Sequence, residues 1–442
     1  MSSGINNYRH GHKQPAAARL PREPLPRVKL SRTERCFALI AGALLSLSTF
    51  AAAPSAQPLE VMHWLTSSHD AAALAVVREA FTSRGGSWVE SPMPGPGGTG
   101  RTAAVNRIVG GLPPGAFQFS LGSQLVELAT AGMIAPVRTN TQWDAAIPAS
   151  IALASKYGGR DIAVPMNIRG ENWMFYNSAV LRRAGVAVPR TWDDFLAAAI
   201  KLKATGITPI ALGGQAWQER LLFNSVLLGT GGREFYRRIY EQVDERAIGS
   251  AAMLRTYSIF GALRQFVDSG SPGRRWNQTT AFLIQGHAAF LFMGDWAKNE
   301  IIAVGLEPGV QIGCALAPAP EPAYIMMVDA FAFGRLKTPA LEAAQNLFAQ
   351  TLRDPKVQAR MAQKLGAIPV RTDISDSGFD ICSKHAMSII REPQAQLLDP
   401  FLTLAGGLSG ALDDAISQYW NQKELSAEQG RKMFLEAVKN NR

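Results

Sequence analysis

An α/β fold in two domains is what this sequence predicts, on two observations. Strand-like apolar runs alternate with amphipathic helical ones, a rhythm that predicts a parallel sheet covered by helices. The 386 residues that follow a candidate export signal also exceed the roughly 250–300 at which one hydrophobic core stops growing.

The elements follow in order. Arg32 and Arg35 precede an apolar run from Cys36 to Phe50, and small residues follow at Ala51-Ala52-Ala53, so residues 1–56 read as an N-terminal extension and a secretory signal peptide. The run is shorter than the roughly 20 residues needed to span a bilayer, and Cys36 lies ahead of it, where no lipid anchor would be placed. The basic, Pro-rich first 31 residues leave two readings open, an extended signal or a start placed too far upstream.

Leu59 to Trp64 is a strand-like run. Asp70 to Arg84 is helical, with Leu74, Val77 and Phe81 on one face and Gly85-Gly86 as a stop, and Ser87 to Glu90 is a second strand. Pro92 to Gly100 reads as a surface loop; it lacks the Gly-Lys-Ser/Thr ending of a phosphate-cradling loop. Helices follow at Leu125 to Ala131, closed by Gly132, and at Trp192 to Thr205, closed by Gly206 and led by Asp193 and Asp194.

The formal charge of +10 is concentrated at the start. Residues 1–56 hold eight of the 45 Lys/Arg and two of the 35 Asp/Glu, leaving 37 against 33, a balance of +4. Nucleic-acid binding thereby loses its main support. Beyond the signal only Cys314 and Cys382 remain, which as residues fit either a disulfide or two buried thiols. No cluster has metal-ligand spacing, and no metal or cofactor is expected.

Several segments together carry a family likeness. They are His63-Trp64-Leu65-Thr66-Ser67, Pro165-Met166-Asn167-Ile168, Asn172 to Asn177, Gly213-Gly214-Gln215-Ala216-Trp217-Gln218-Glu219, Ser271 to Asn277, Met293-Gly294-Asp295-Trp296-Ala297-Lys298, Val328-Asp329-Ala330-Phe331 and Ile368-Pro369-Val370-Arg371. In order and spacing, nearly everything after residue 57 resembles the substrate-binding proteins of bacterial sugar ABC importers (extracellular solute-binding protein family 1), in particular the glucose/mannose type. The resemblance implies a two-lobed periplasmic-binding-protein (type II) fold with hinge crossovers near Pro165-Met166-Asn167, near Ala317 to Pro320 and after Gly366. The first lobe would be 57–166 plus 319–368 and the second 167–318 plus 369–442. It also implies a Cys314–Cys382 disulfide, a periplasmic location, a sugar ligand, permease subunits as partners and a monomeric state.

A sugar presents C–H faces and a rim of hydroxyls, so its site needs aromatic faces with carboxylates, amides or cations. The resemblance assigns stacking to Trp64 and Trp296 and hydroxyl recognition to Asp329. Asp70, Gln215, Trp217, Gln218, Trp276 and Asn277 join them as ligand-binding candidates. Each has a plainer alternative: core packing for the tryptophans, a helix cap for Asp329, an ordinary helix start for Gln215 to Gln218. Asn167 and Arg169 are assigned to the hinge, with ligand contact left open.

Departures matter as much. Leu121 and Leu365 stand where the family carries ligand-contacting lysines, with Lys364 one position earlier, and Gly406 stands where it carries a histidine. Three charge-assisted hydrogen bonds lost at roughly 1.5–3 kcal/mol each imply about a thousandfold loss or more for the family's hexose. Either the ligand differs or neighbours such as Lys364 and Arg169 substitute. Catalysis finds no support, because His63, His69, His287 and His385 lie in no nucleophile motif and Asp295 and Glu300 would face apart on a helix. The expectation is a periplasmic sugar-binding protein that serves an importer, with a sugar-sensing, receptor-docking protein of altered or lost specificity as the alternative.

Overall fold

Two sheets organise the chain in a computed structural model, which describes residues 57–93, 97–138 and 141–441. The signal peptide and N-terminal extension lie outside the described residues. The first sheet starts with β1 (Leu59–His63), β2 (Trp88–Pro92) and β3 (Ala116–Ser120). A two-residue hairpin, β4 (Lys156–Tyr157) and β5 (Arg160–Asp161), stands apart, and β6 (Ala163–Gly170) rejoins the first sheet. The second sheet comprises β7 (Trp173–Asn177), β8 (Thr208–Ala211), β9 (Ala288–Met293) and β10 (Ile312–Leu316). The chain then returns to the first sheet as β11 (Tyr324–Phe333), β12 (Ile368–Pro369) and β13 (Gln396–Leu398).

The first sheet runs β12-β6-β11-β3-β1-β2, with β13 paired to β11. Its β1, β2 and β3 are parallel, as alternating strand and helix predict, whereas β11 is antiparallel to both β3 and β6. The sheet is therefore mixed, because β11 arrives from the other sheet and not through a local βαβ turn. The second sheet runs β10-β7-β9-β8.

Helix Ser68–Ser83 starts in a capping box between Ser67 and Asp70, and helix Trp192–Ala204 in one between Thr191 and Asp194. One sequence expectation fails. Helix Gly97–Val109 begins inside the glycine-rich stretch read as loop, since the buried face of Ala104 and Ile108 outweighs poor local propensity.

The passages between the sheets are stitched together. The chain leaves the first sheet at Gly170, beyond Pro165, and the Asn172 amide donates to the Ala323 carbonyl at 2.9 Å and accepts from the Ile325 N–H at 2.9 Å. Pro165 does not interrupt β6. The register of β6 against β11 shifts between Asp329 and Ala330, so Met166 is an extra residue and Pro165 sits at a bulge where a ladder donor is dispensable. A disulfide joins Cys314 on β10 to Cys382 in helix Ile381–Ile389. Among the described residues no helix is long and apolar enough to cross a membrane.

Candidate functional site

The bulge in β6 and β11 places Asp329 within a strand, neither at a strand end nor at a helix cap. Arg169, two residues past Asn167 on β6, donates from Nε to Asp329 at 3.0 Å. Its Nη1 lies 3.9 Å from Asp295 and donates to the Leu365 carbonyl at 3.4 Å. These side chains are only 11, 8 and 1% exposed for Arg169, Asp329 and Asp295. Burial alone would weaken the Arg169 cation, but Asp329, Asp295 and Asp70 outweigh it and raise its pKa.

Asp295 comes from the turn after β9, so the cluster joins both sheets. Its Oδ2 accepts from the Gly170 N–H at 2.9 Å and from the Tyr324 hydroxyl at 3.4 Å. Gly170 is required there, since a Cβ would lie 2.1 Å from the Tyr324 ring. Burial pushes the Asp295 carboxyl up to about 6, against the pull of Arg169, Lys298 and the Gly170 N–H. The folded state thus binds this proton more tightly than the unfolded one. The associated stability is complete below the ordinary carboxylate pKa and is lost as pH rises toward 6, roughly 3 kcal/mol in all. Asp295→Asn should therefore lose less stability than the parent between pH 4 and pH 7; parallel urea-unfolding curves for the two proteins would refute this.

Aromatic groups flank the cluster. Trp296 follows Asp295 directly, and its ring meets that of Trp217 edge-on at 5.8 Å. The indole lies over Gly294, where a Cβ would come within 2.0 Å of it. Gln215 accepts from the Trp276 N–H at 3.1 Å and from the Gln218 amide at 2.9 Å. Trp217, Trp276 and Trp296 are all half-buried on one core. Gln218 is fully buried and its carbonyl accepts from the Gly213 N–H at 3.2 Å, so its amide holds the loop that presents Trp217. Asn277 is exposed in the first turn of helix Trp276–Ile284.

On the first sheet, Trp64 follows β1 half-buried, its N–H donating to Gln118 at 3.1 Å and its ring against Gly100. Asp70 serves the capping box of its helix and acts on Arg169 through space. The structure thus gathers Asp329, Asp295 and Arg169 in contact, seats Trp296 and Trp217 beside them, and leaves Asn277 at the periphery.

Buried polar atoms without a hydrogen-bond partner among the described residues lie on these same elements. They are both amide atoms of Asn167, the Gln118 amide nitrogen, Asp295 Oδ1 and Asn299 Oδ1. Such atoms are costly unless something pairs with them. Leu121 and Leu365, 1 and 0% exposed, belong to the core, and Lys364 is exposed, so it does not replace the missing cation. The cation beside Asp329 is Arg169.

Sequence reasoning missed Gln118, Asn299 and Arg101, and took Asp295 only as a catalytic candidate. Gln118 left a signal: it is the one polar side chain before Ser120 in the otherwise apolar strand Ala116–Ser120, whose residues are all buried. No comparable signal marks Asn299. Among the described residues no group of three His, Cys, Asp or Glu could hold a metal ion.

The bacterial extracellular solute-binding protein family model matches residues 66–345. A probable sugar-binding periplasmic protein of Brucella suis biovar 1 is 34% identical over 415 residues, 91% of this chain and 96% of its own. An uncharacterized ABC transporter extracellular-binding protein of Pyrococcus horikoshii is 24% identical over 84% of this chain and 85% of its own. The solved bacterial solute receptor AcbH, described as preferring β-D-galactopyranose, superposes with a TM-score of 0.74 at 17% identity, covering 87% of this chain and 98% of its own. These matches establish the two-lobed α/β fold, a periplasmic location, and a binding rather than catalytic role. The chain belongs to the bacterial extracellular solute-binding protein family.

Proposed function

We propose that this protein captures a sugar between its two lobes and delivers it, as a monomer, to the membrane subunits of an ABC importer. The observation that carries the reading is the Trp217–Trp296 pair beside the Arg169–Asp329–Asp295 cluster, an apolar face next to charged groups that hydroxyls can bridge. The relatives named as sugar-binding and as ABC-transporter components support it. We place the lobes at 57–166 plus 319–368 and 167–318 plus 369–442; most strands of the two sheets follow this division, but residues 167–170 of β6 and the whole of β13, both in the first sheet, fall on the other side of it. Trp64, Asp70 and Asp329 belong to the first, and Gln215, Trp217, Gln218, Trp276, Asn277 and Trp296 to the second. Each half exposes part of a polar, aromatic site that only closure desolvates.

A thermal-shift screen of the mature protein against mono- and disaccharides identifies a ligand, because binding the folded state raises its melting temperature. With that ligand, Trp296→Ala should weaken calorimetric affinity by about tenfold to a hundredfold while the far-ultraviolet spectrum stays unchanged. Unaltered affinity in a folded variant would sink the assignment of Trp296.

A further inference from the structure

Three arginines serve the region between the sheets, two of them buried and balanced and the third, Arg101, half-buried. Arg169 has Asp329 and Asp295, and Arg220 has Glu171, Asp399 and Asp413. Arg101 is the exception. Its Nη1 donates to Ser120 Oγ at 3.4 Å and its guanidinium sits 5.5 Å from the centre of the Phe401 ring, but among the described residues no carboxylate comes within ion-pair distance.

Its position is that of a ligand group. Arg101 bonds Ser120, the cross-strand partner of Asp329, and follows Gly100, which is overlaid by Trp64. Asp329 is already engaged by Arg169. A cavity of about 280 Å³ opens beside Arg101, lined also by Thr102, Val105 and Gln124. Gln124 in turn lies against Gly406, where a Cβ would come within 2.9 Å of its amide nitrogen. The orphaned donor of Gln118 lies two residues before Ser120 on the same strand.

A guanidinium partly withdrawn from water without an anionic partner is unfavourable, and burial lowers the pKa of Arg101, with Asp329 and Asp399 opposing the change. Its planar fork matches a carboxylate held by two hydrogen bonds. We propose that the ligand is an acidic sugar, whose carboxylate is held by Arg101 while its ring rests in the tryptophan-lined cleft. This rests on the sugar-capture reading above.

The test is calorimetric and thermal-shift titration of the mature protein with D-glucuronate and D-galacturonate against D-glucose and D-galactose. At least one uronate should bind tighter than its parent hexose. In Arg101→Gln the ratio of hexose Kd to uronate Kd should fall by about tenfold to a hundredfold, with partial recovery in Arg101→Lys. An unfolded melting profile in the glutamine variant shifts the comparison to the lysine variant, whose ratio should still fall. Hexoses binding as tightly as uronates, or a ratio unmoved by either substitution, overturns the proposal and leaves sugar capture standing. Failure of all four probes to bind counts against both readings.

Discussion

Replacing Arg220 with methionine is expected to cost about 3–5 kcal/mol of stability at pH 7, the cost of leaving a buried ion-pair network without its cation. Arg220 is 3% exposed on helix Ala216–Tyr240 and binds Asp399, the closest partner, with Glu171 at 3.4 Å, Asp413 at 3.3 Å and the Phe401 ring centre at 4.9 Å. Glu171 lies where the chain leaves the first sheet and Asp399 where β13 ends. The network thus fastens helix Ala216–Tyr240 to two of the segments that pass near it. Burial and the Asp399 charge raise Glu171 well above the carboxylate range, and burial pushes Asp413 up to about 6.

Those shifts give the prediction a signature. Without Arg220, Glu171 and Asp413 are relieved by protonation, so the variant should recover part of its deficit as pH falls from 7 to 5. Glu171→Gln should cost far less than Arg220→Met, because burial and the Asp399 charge already oppose ionisation of Glu171. Urea unfolding followed by circular dichroism at both pH values checks this, and a deficit below about 1 kcal/mol at pH 7 would refute the account.

How much of this was legible depends on whether a feature is written locally. The helices from Ser68 and Trp192 announce themselves through Ser67 with Asp70 and Thr191 with Asp194, because a cap needs only residues three apart. The antiparallel β11 does not, since its neighbours β3 and β6 are brought to it by the return of the chain from the second sheet. The same holds within the site. Trp296 is marked by the Gly294 that makes room for its ring, and Asp329 stands out as an acid in an apolar strand. Arg101, Asn299 and Gln118 take their meaning from partners far along the chain, and no local pattern distinguishes the first two from surface residues. Lys364 shows the converse: adjacent in sequence to Leu365, it points to solvent, because one residue along a helix turns the side chain to another face.

Arg169→Leu is expected to cause the second large loss, again about 3–5 kcal/mol at pH 7, together with loss of ligand affinity. The substitution leaves Asp329 and Asp295 facing each other in a site from which both are nearly excluded from water, and it releases the Leu365 carbonyl. Asp295 is already raised to about 6 with the arginine in place, so without it that carboxyl should favour protonation further and stability should rise from pH 7 toward pH 5. A double-mutant cycle separates this from simple loss of packing. If the ion pair with Asp329 matters, Arg169→Leu will cost less in the Asp329→Asn background by about 1–3 kcal/mol. Equal costs in both backgrounds would mean that the arginine acts through its aliphatic stem alone. The cation that replaces the family's missing lysines would then have to be sought elsewhere, with the half-buried Arg101 as the remaining candidate acting on Asp329.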